Sequence, residues 1–489
     1  MNEPGNSDRL IVPEKRSNKA LAAAEIVEGS GLTKGNADQQ NTHRTQSRGS
    51  VPSALERIRE IARKDKKKRF TNLFHHVSNP THLEEAFFAL KRDASAGIDG
   101  ETWDHYKEKL EDNLQNLRQR LQRGGYRAKP VRRVYIPKAD GKLRPLGVPT
   151  LEDKIVQRAT VDVLNAIFEQ DFAGFSYGFR PGRNQHKALK ALGDGFIYKV
   201  SFVLDADIRG FFDTINHEWL IRFVEHRIGD QRVVRLVRKW LAAGVLEDGK
   251  RLPSAVGTPQ GGSISPLLAN IYLHYSLDLW VQWWRKQPGR GKVAFVRYAD
   301  DFVVGFQLKG EADEFLRQLK ERLAKFQLDL HPEKTRLIEF GPFAAMTRQK
   351  RGQGKPETFN FLGFTHICGK TQKGKFTIWR QTERKRMTAK LKALRLELRR
   401  RMHQKIPQVG KWLEAVLRGH YQYYGVSYNF RAIQNFRYQL SLAWFKTLRR
   451  RSQRHRTNWE RMRRLIHKWL PAPRIVHSIF PGNQTAYPR

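Results

Sequence analysis

Two apolar runs, Val293-Ala-Phe-Val296 and Phe302-Val-Val-Gly-Phe306, close on each other around Tyr298-Ala299-Asp300-Asp301. Run, turn and run predict a β-hairpin with two adjacent carboxylates at its tip. Upstream, Val131–Lys138 alternates as a strand, Ala139-Asp-Gly-Lys142 reads as a turn, and Leu143–Val148 returns to complete a second hairpin. Phe202-Val-Leu204 leads a short buried strand into Asp205-Ala-Asp207. Helical spacing runs through Leu151–Phe168, and Leu267-Leu-Ala-Asn-Ile271 opens another helix. Two capping-box spacings mark helix starts near the N-terminus. Ser53-Ala-Leu-Glu56 precedes Ile58 and Ile61, and Thr81-His-Leu-Glu84 precedes Ala86–Leu90.

Beyond about residue 370 the pattern turns helical, with elements predicted over 382–403, 409–424 and 430–450. Trp412, Leu413, Val416, Leu417, His420, Tyr423 and Tyr424 recur at helical spacing, and Gly425 is a natural stop. This stripe reads as the core of a small bundle. Residues 1 to about 50 are polar, with little apolar periodicity, and read as a disordered tail. The expected division is therefore a tail over 1–50, a mixed helix and strand region over 51–370, a helical region over 371–450 and a basic segment over 451–489.

Charge sharpens the picture. The 489 residues carry a formal charge of +43, far more than solubility requires, and so large a field calls for a polyanionic partner. Nucleic acid ranks ahead of an anionic membrane surface, because no apolar stretch approaches the length of a spanning helix and no signal-peptide pattern is present. More than half of the excess lies in residues 371–489, where 29 Lys or Arg face four Glu. The run Arg63–Arg69 reads equally as a phosphate contact or a solvated face. A single cysteine, Cys368, excludes an intramolecular disulfide and a multi-cysteine zinc site, and reads as a small buried residue. A soluble intracellular protein built to hold nucleic acid is expected.

The hairpin tip carries the candidate chemistry. Two like charges there are costly unless something positive sits beside them, and a pair of Mg²⁺ ions suits a few carboxylates plus substrate phosphates. Asp-Asp is also ordinary turn chemistry, so the rest of the chain has to decide. Asp205 and Asp207 share one strand face, and either can supply a third carboxylate beside Asp300. Phe211 and Phe212 follow, one suited to pack under an incoming sugar and at least one expected in the core. The loop Gly257-Thr-Pro-Gln-Gly-Gly-Ser-Ile-Ser-Pro266 permits close backbone approach to a ligand, with Gln260 placed to bond a base edge or sugar. Lys138 and Arg144 flank the upstream hairpin tip and can clamp a triphosphate.

Together these blocks resemble the reverse transcriptases encoded by group II introns, the intron maturases. The resemblance rests on Arg144–Pro149, Ser176-Tyr-Gly-Phe-Arg-Pro-Gly182, Asp207–Asp213, Thr258–Gly262, Tyr298–Asp301, His331-Pro-Glu-Lys-Thr335 and Phe361-Leu-Gly-Phe364, in that order. Ala96–Gly100 and Leu417–Tyr421 match further blocks, so the similarity covers about 55–450. It implies an α+β right-hand polymerase of fingers, palm and helical thumb. It implies Asp207, Asp300 and Asp301 as catalytic carboxylates on two Mg²⁺ ions, with Asp207 preferred to Asp205. It makes Phe212 the sugar gate and Gln260, Lys138 and Arg144 contacts of the incoming nucleotide. Arg180 and Lys334 receive only generic structural or template roles. Expected partners are the parent intron RNA, an RNA template with DNA primer, dNTPs and target DNA, in a bacterial cytoplasm or nucleoid and not at a membrane. The cysteine-bearing HNH nuclease of many relatives is not expected here. Arg449–Arg489 reads equally as a DNA-binding appendix or a basic tail. A splicing-only factor, or a domesticated enzyme of a defence or diversity-generating system, are the alternative functions.

Overall fold

The computed structural model describes residues 54–137, 143–197, 200–247, 250–252, 257, 261–451 and 458–479. Ser53, the tail over 1–50, Lys138 and Gln260 lie outside the described residues.

Helix 54–64 opens the described chain. The next cap differs from the expected one. The helix Pro80–Phe88 starts two residues earlier than the Thr81 spacing suggests, because the Asn79 side chain accepts from His82 N and Pro80 fills the first helical position. Strand β1 (Val131–Pro137) pairs antiparallel with β2 (Leu143–Val148), as the alternation predicts. Thr150 then caps the helix Leu151–Asp171, its side chain accepting from Asp153 N. Strand β3 (Phe202–Asp207) follows. Strands β4 (Val245–Glu247) and β5 (Lys250–Leu252) extend the first sheet to the order β2-β1-β4-β5.

The second sheet is built from β3, β6 (Ala294–Tyr298), β7 (Asp301–Phe306) and β8 (Arg336–Glu339), in the order β6-β7-β3-β8 with every pairing antiparallel. Both faces are covered, which is why its strands read as continuous apolar runs rather than as an alternation. Leu204, Phe302 and Val304 face a large core shared with the helices Leu151–Asp171 and Ser265–Leu273. Val203, Val296, Val303 and Ile338 face the other way, against the helix Gln185–Phe196.

A third sheet of β9 (Phe359–Phe361), β10 (Phe364–Lys370) and β11 (Phe376–Thr382) has the order β11-β10-β9. The division expected at 370 falls inside this β10–β11 hairpin, whose last pair is Lys370 with Phe376. Cys368, on β10, is partly buried rather than core, and burial pushes its thiol up to about 11.

Helices Arg384–Arg400, Ile406–Tyr424 and Phe430–Arg449 match the expected bundle, and Gly425 caps the second. Leu413, Leu417 and His420 are buried, so the apolar stripe is core. Each fully covered leucine contributes about 1.5–3 kcal/mol over leaving it in water. The basic C-terminal segment joins this core: the helix Trp459–Trp469 buries Met462, and His477 bridges back to Val426. None of the described helices is long and apolar enough to cross a membrane.

Candidate active site

Asp207 ends β3 and Asp301 begins β7, and the register places them directly opposite each other. Tyr298 pairs with Asp301 across the hairpin, leaving Ala299 and Asp300 as its two-residue turn. The turn bends through Ala299 at φ 57°, a left-handed conformation uncommon for alanine. Because strand side chains alternate, Asp205, Asp207 and Asp301 share the face of Val203 and Val303. They lie where the cover of that face runs out, and all three remain partly accessible.

Electrostatics sets this corner apart. Burial and then the neighbouring charges of Asp205, Asp300 and Asp207 push the Asp301 carboxyl well above its usual range. Burial also lifts Asp300, with Asp207 adding to the rise, while Arg144 and Lys334 pull it back. Asp205 is pushed up to about 6 by burial, against the pull of Arg336, whose Nη2 lies 3.7 Å away. Repulsion within an all-oxygen carboxylate set is the donor chemistry that a hard divalent cation relieves. Among the described residues no three such side chains already stand at metal-holding spacing. Asp207 Oδ2 instead accepts from Lys334 Nζ at 2.6 Å.

Lys334 is the neighbour that sequence reasoning undervalued. The chain after Asp329 runs beside the end of β3, with Arg209 N donating to Asp329 O and His331 N donating to Asp207 O, both at 2.8 Å. The His331-Pro-Glu-Lys-Thr335 block was the available signal, although nothing in its spacing says which carboxylate the lysine meets.

Behind the turn lies a buried frame that periodicity does not reveal. Arg297 and Asp278 are both fully buried and paired through two hydrogen bonds of 2.8 and 2.5 Å. Arg297 Nη1 also donates to the Ala299 carbonyl at 2.9 Å and to Asn270 Oδ1 at 3.1 Å. Asp278 closes the π-helical stretch His274–Asp278, a widened turn of the kind that recurs at functional sites. Gly178 fits against the hairpin so closely that a Cβ there would sit 2.4 Å from Ala299 N.

The remaining candidates are distributed around this corner. Phe211 is core, whereas Phe212 is only partly buried and packs edge-on against it, with ring centroids 5.4 Å apart. Gly257 lies against the backbone of Phe212 and Asp213, and a Cβ at Gly261 would meet Gly147 O of β2 at 2.5 Å. Gly257 and Gly261 of the glycine-rich loop thus lie against Phe212 and the first hairpin respectively, while Gln260 between them lies outside the described residues. Arg144 is exposed on β2. Arg180 is a structural anchor, buried and forked onto Glu169 while donating to the Ala173 and Ser176 carbonyls.

Residues 136–366 match the family described as reverse transcriptase (RNA-dependent DNA polymerase). Protein YkfC of Escherichia coli K12 is 38% identical over 270 residues, covering 48% of this chain and 70% of that protein. The group II intron-encoded protein LtrA of Lactococcus lactis subsp. cremoris is 38% identical over 244 residues, 48% of this chain but 40% of LtrA. Nuclear intron maturase 3, mitochondrial, of Arabidopsis thaliana is 27% identical over 230 residues, 40% of this chain and 31% of that protein. The chain thus spans more than two thirds of YkfC but less than half of LtrA. It belongs to the reverse transcriptase family of RNA-dependent DNA polymerases, in the company of group II intron-encoded proteins.

Proposed function

We propose that the chain extends a DNA primer on an RNA template at the Asp207–Asp300–Asp301 corner. One observation carries the reading: the Asp207–Asp301 register, with Asp300 in the adjoining turn, gathers three carboxylates from distant stretches of chain. Reverse transcriptases work with divalent metal ions, and Mg²⁺ suits this oxygen-only donor set. Asp207 and Asp300 would hold two such ions directly, with Asp301 supporting them. When bound, the ions supply Lewis acidity for attack of the primer 3′-hydroxyl on the dNTP α-phosphate and neutralise the leaving pyrophosphate.

The protein's own groups orient the reactants. Arg144 and Lys138 would hold the triphosphate, Arg by its planar fork and Lys as a point charge. Phe212 would close the sugar site against a 2′-hydroxyl, and Gln260 would contact the nucleotide. In this reading the β3, β6, β7 and β8 sheet is the palm, the β1–β2 hairpin belongs to the fingers, and the basic bundle is the thumb. Lys and Arg on the bundle's outer faces supply the phosphate contacts that dominate nucleic-acid affinity. The names of LtrA and of the plant maturase support a second role, binding the parent intron RNA to assist splicing and, with target DNA, mobility.

Primer extension on an RNA template with dNTPs and Mg²⁺ tests the polymerase assignment. Extension by wild type and its loss in the double variant Asp300→Ala, Asp301→Ala are expected. Activity surviving in that variant overturns the assignment. Splicing rescued by the same variant separates the RNA-binding role from polymerisation.

A further inference from the structure

Phe179 presents a large aromatic ring where the fold has no use for one. It is 56% exposed and belongs to none of the three apolar cores. Its backbone is left-handed, at φ 57°, a conformation that a bulky L-residue adopts only at a cost. Such strain persists when the surroundings over-determine it, and it clusters at ligand clamps.

The surroundings here do over-determine it. Tyr177 N donates to the Arg297 carbonyl at 2.9 Å, and Asn270 Nδ2 donates to the Gly178 carbonyl at 2.8 Å. On the other side, Arg180 is forked onto Glu169 and bonded to two carbonyls of its own turn. The frame that fixes Phe179 is therefore the frame behind the carboxylate turn, since Arg297 and Asn270 serve both. The ring stands 6.5 Å from that of Tyr298, the residue that leads into Ala299-Asp300. Aromatic rings beside a nucleotide chain gain affinity by contact with bases and sugars, without selecting sequence.

We propose that Phe179 is a nucleic-acid contact, its ring packing with Tyr298 against the sugar and base edges of the last primer nucleotides. The choice of strand rests on the polymerase reading above, because the primer 3′ end is the part of the duplex that must reach the Asp300 turn. Strain at Phe179 is then the means by which a rigid frame delivers an aromatic ring outward beside the reacting end.

The test measures binding rather than turnover. The dissociation constant of the full chain for a fluorescent DNA primer on an RNA template is read by anisotropy. The variants are Phe179→Ala, Phe179→Asn and Phe179→Tyr, each with a thermal midpoint. Loss of an aromatic base contact is expected to weaken binding roughly 5- to 100-fold in the alanine and asparagine variants, with tyrosine near wild type. Asparagine tolerates the left-handed backbone, so its midpoint should match or exceed wild type while affinity falls. Unchanged affinity in both truncations overturns the proposal, as does a loss of affinity that merely follows a falling midpoint. Phe179→p-azidophenylalanine should photocrosslink to the primer strand, and crosslinking only to the template overturns the strand choice. Because binding is read directly, a wild-type chain that binds but does not extend the primer counts against the polymerase reading alone.

Discussion

Lys334 Nζ lies 2.6 Å from Asp207 Oδ2, so the lysine is the counter-charge of a carboxylate proposed to hold metal. It is also one of two cations, with Arg144, that draw the Asp300 carboxyl down against burial. Replacing Lys334 with Met should therefore let Asp300 rise further. The acid limb of the primer-extension pH profile should move to higher pH, and adding Arg144→Met should move it again. Stability should change by no more than about 1 kcal/mol, because the lysine is largely exposed. A pH–rate profile for the three proteins checks the direction, and an unmoved acid limb would contradict it.

The buried Arg297–Asp278 pair makes the opposite prediction for stability. Removing one partner leaves an uncompensated charge in the core, at a cost of about 3–5 kcal/mol. Arg297→Met and Asp278→Asn should each lower the urea midpoint strongly. The double variant should lose less than the sum of the two, because each single change already breaks the shared interaction.

Gly178→Ala should damage activity out of proportion to stability. The new Cβ would press on Ala299 N, which can yield only by shifting the carboxylate turn. A misplacement of about 1 Å at a reacting centre can lower kcat by about 100-fold. Steady-state kinetics beside circular dichroism should show the rate falling while the fold is kept.

Three buried histidines should make stability fall in acid. Burial lowers His274, His366 and His420 to about 3, from an ordinary value near 6.5. Between those values the unfolded chain binds more protons than the folded one, so stability present above pH 6.5 is lost as pH falls toward 3. Asp205, raised to about 6, works the other way over the upper part of that range and offsets part of the loss. His420 is the best probe. Among the described residues neither of its ring nitrogens has a hydrogen-bond partner, and it stacks on Phe436 at 3.7 Å. His420→Phe should raise the urea midpoint at pH 7 and flatten its fall toward pH 5.

The carboxylate hairpin was legible in the sequence because two apolar runs and a turn are local signals, and the same holds for β1–β2 and the bundle helices. Register was not legible. That Asp207 faces Asp301 depends on a pairing between strands far apart in the chain, and periodicity carries no information about it. The cap at Asn79 was missed because the Thr81 and Glu84 spacing competes with an Asn-Pro pair that wins locally. The C-terminal segment read equally as a DNA-binding appendix or a basic tail, and its packing was hidden because its arginines outnumber the few apolar residues, Met462 and Leu470, that lock it to the bundle. The Arg297–Asp278 frame was invisible for a related reason. A buried ion pair shows in sequence only as two charged letters.

The order of strands β6-β7-β3-β8 also sets a timetable for synthesis. Strand β3 leaves the ribosome first but has no neighbour in its own sheet until the hairpin near residue 300 and then β8 at Arg336–Glu339 have followed. Translation proceeds at about 5–20 residues per second, so several seconds separate Asp207 from Asp301 and Lys334. A nascent chain therefore carries the first of the proposed catalytic carboxylates for that interval without its partners, and the proposed site is assembled only after Lys334 has followed.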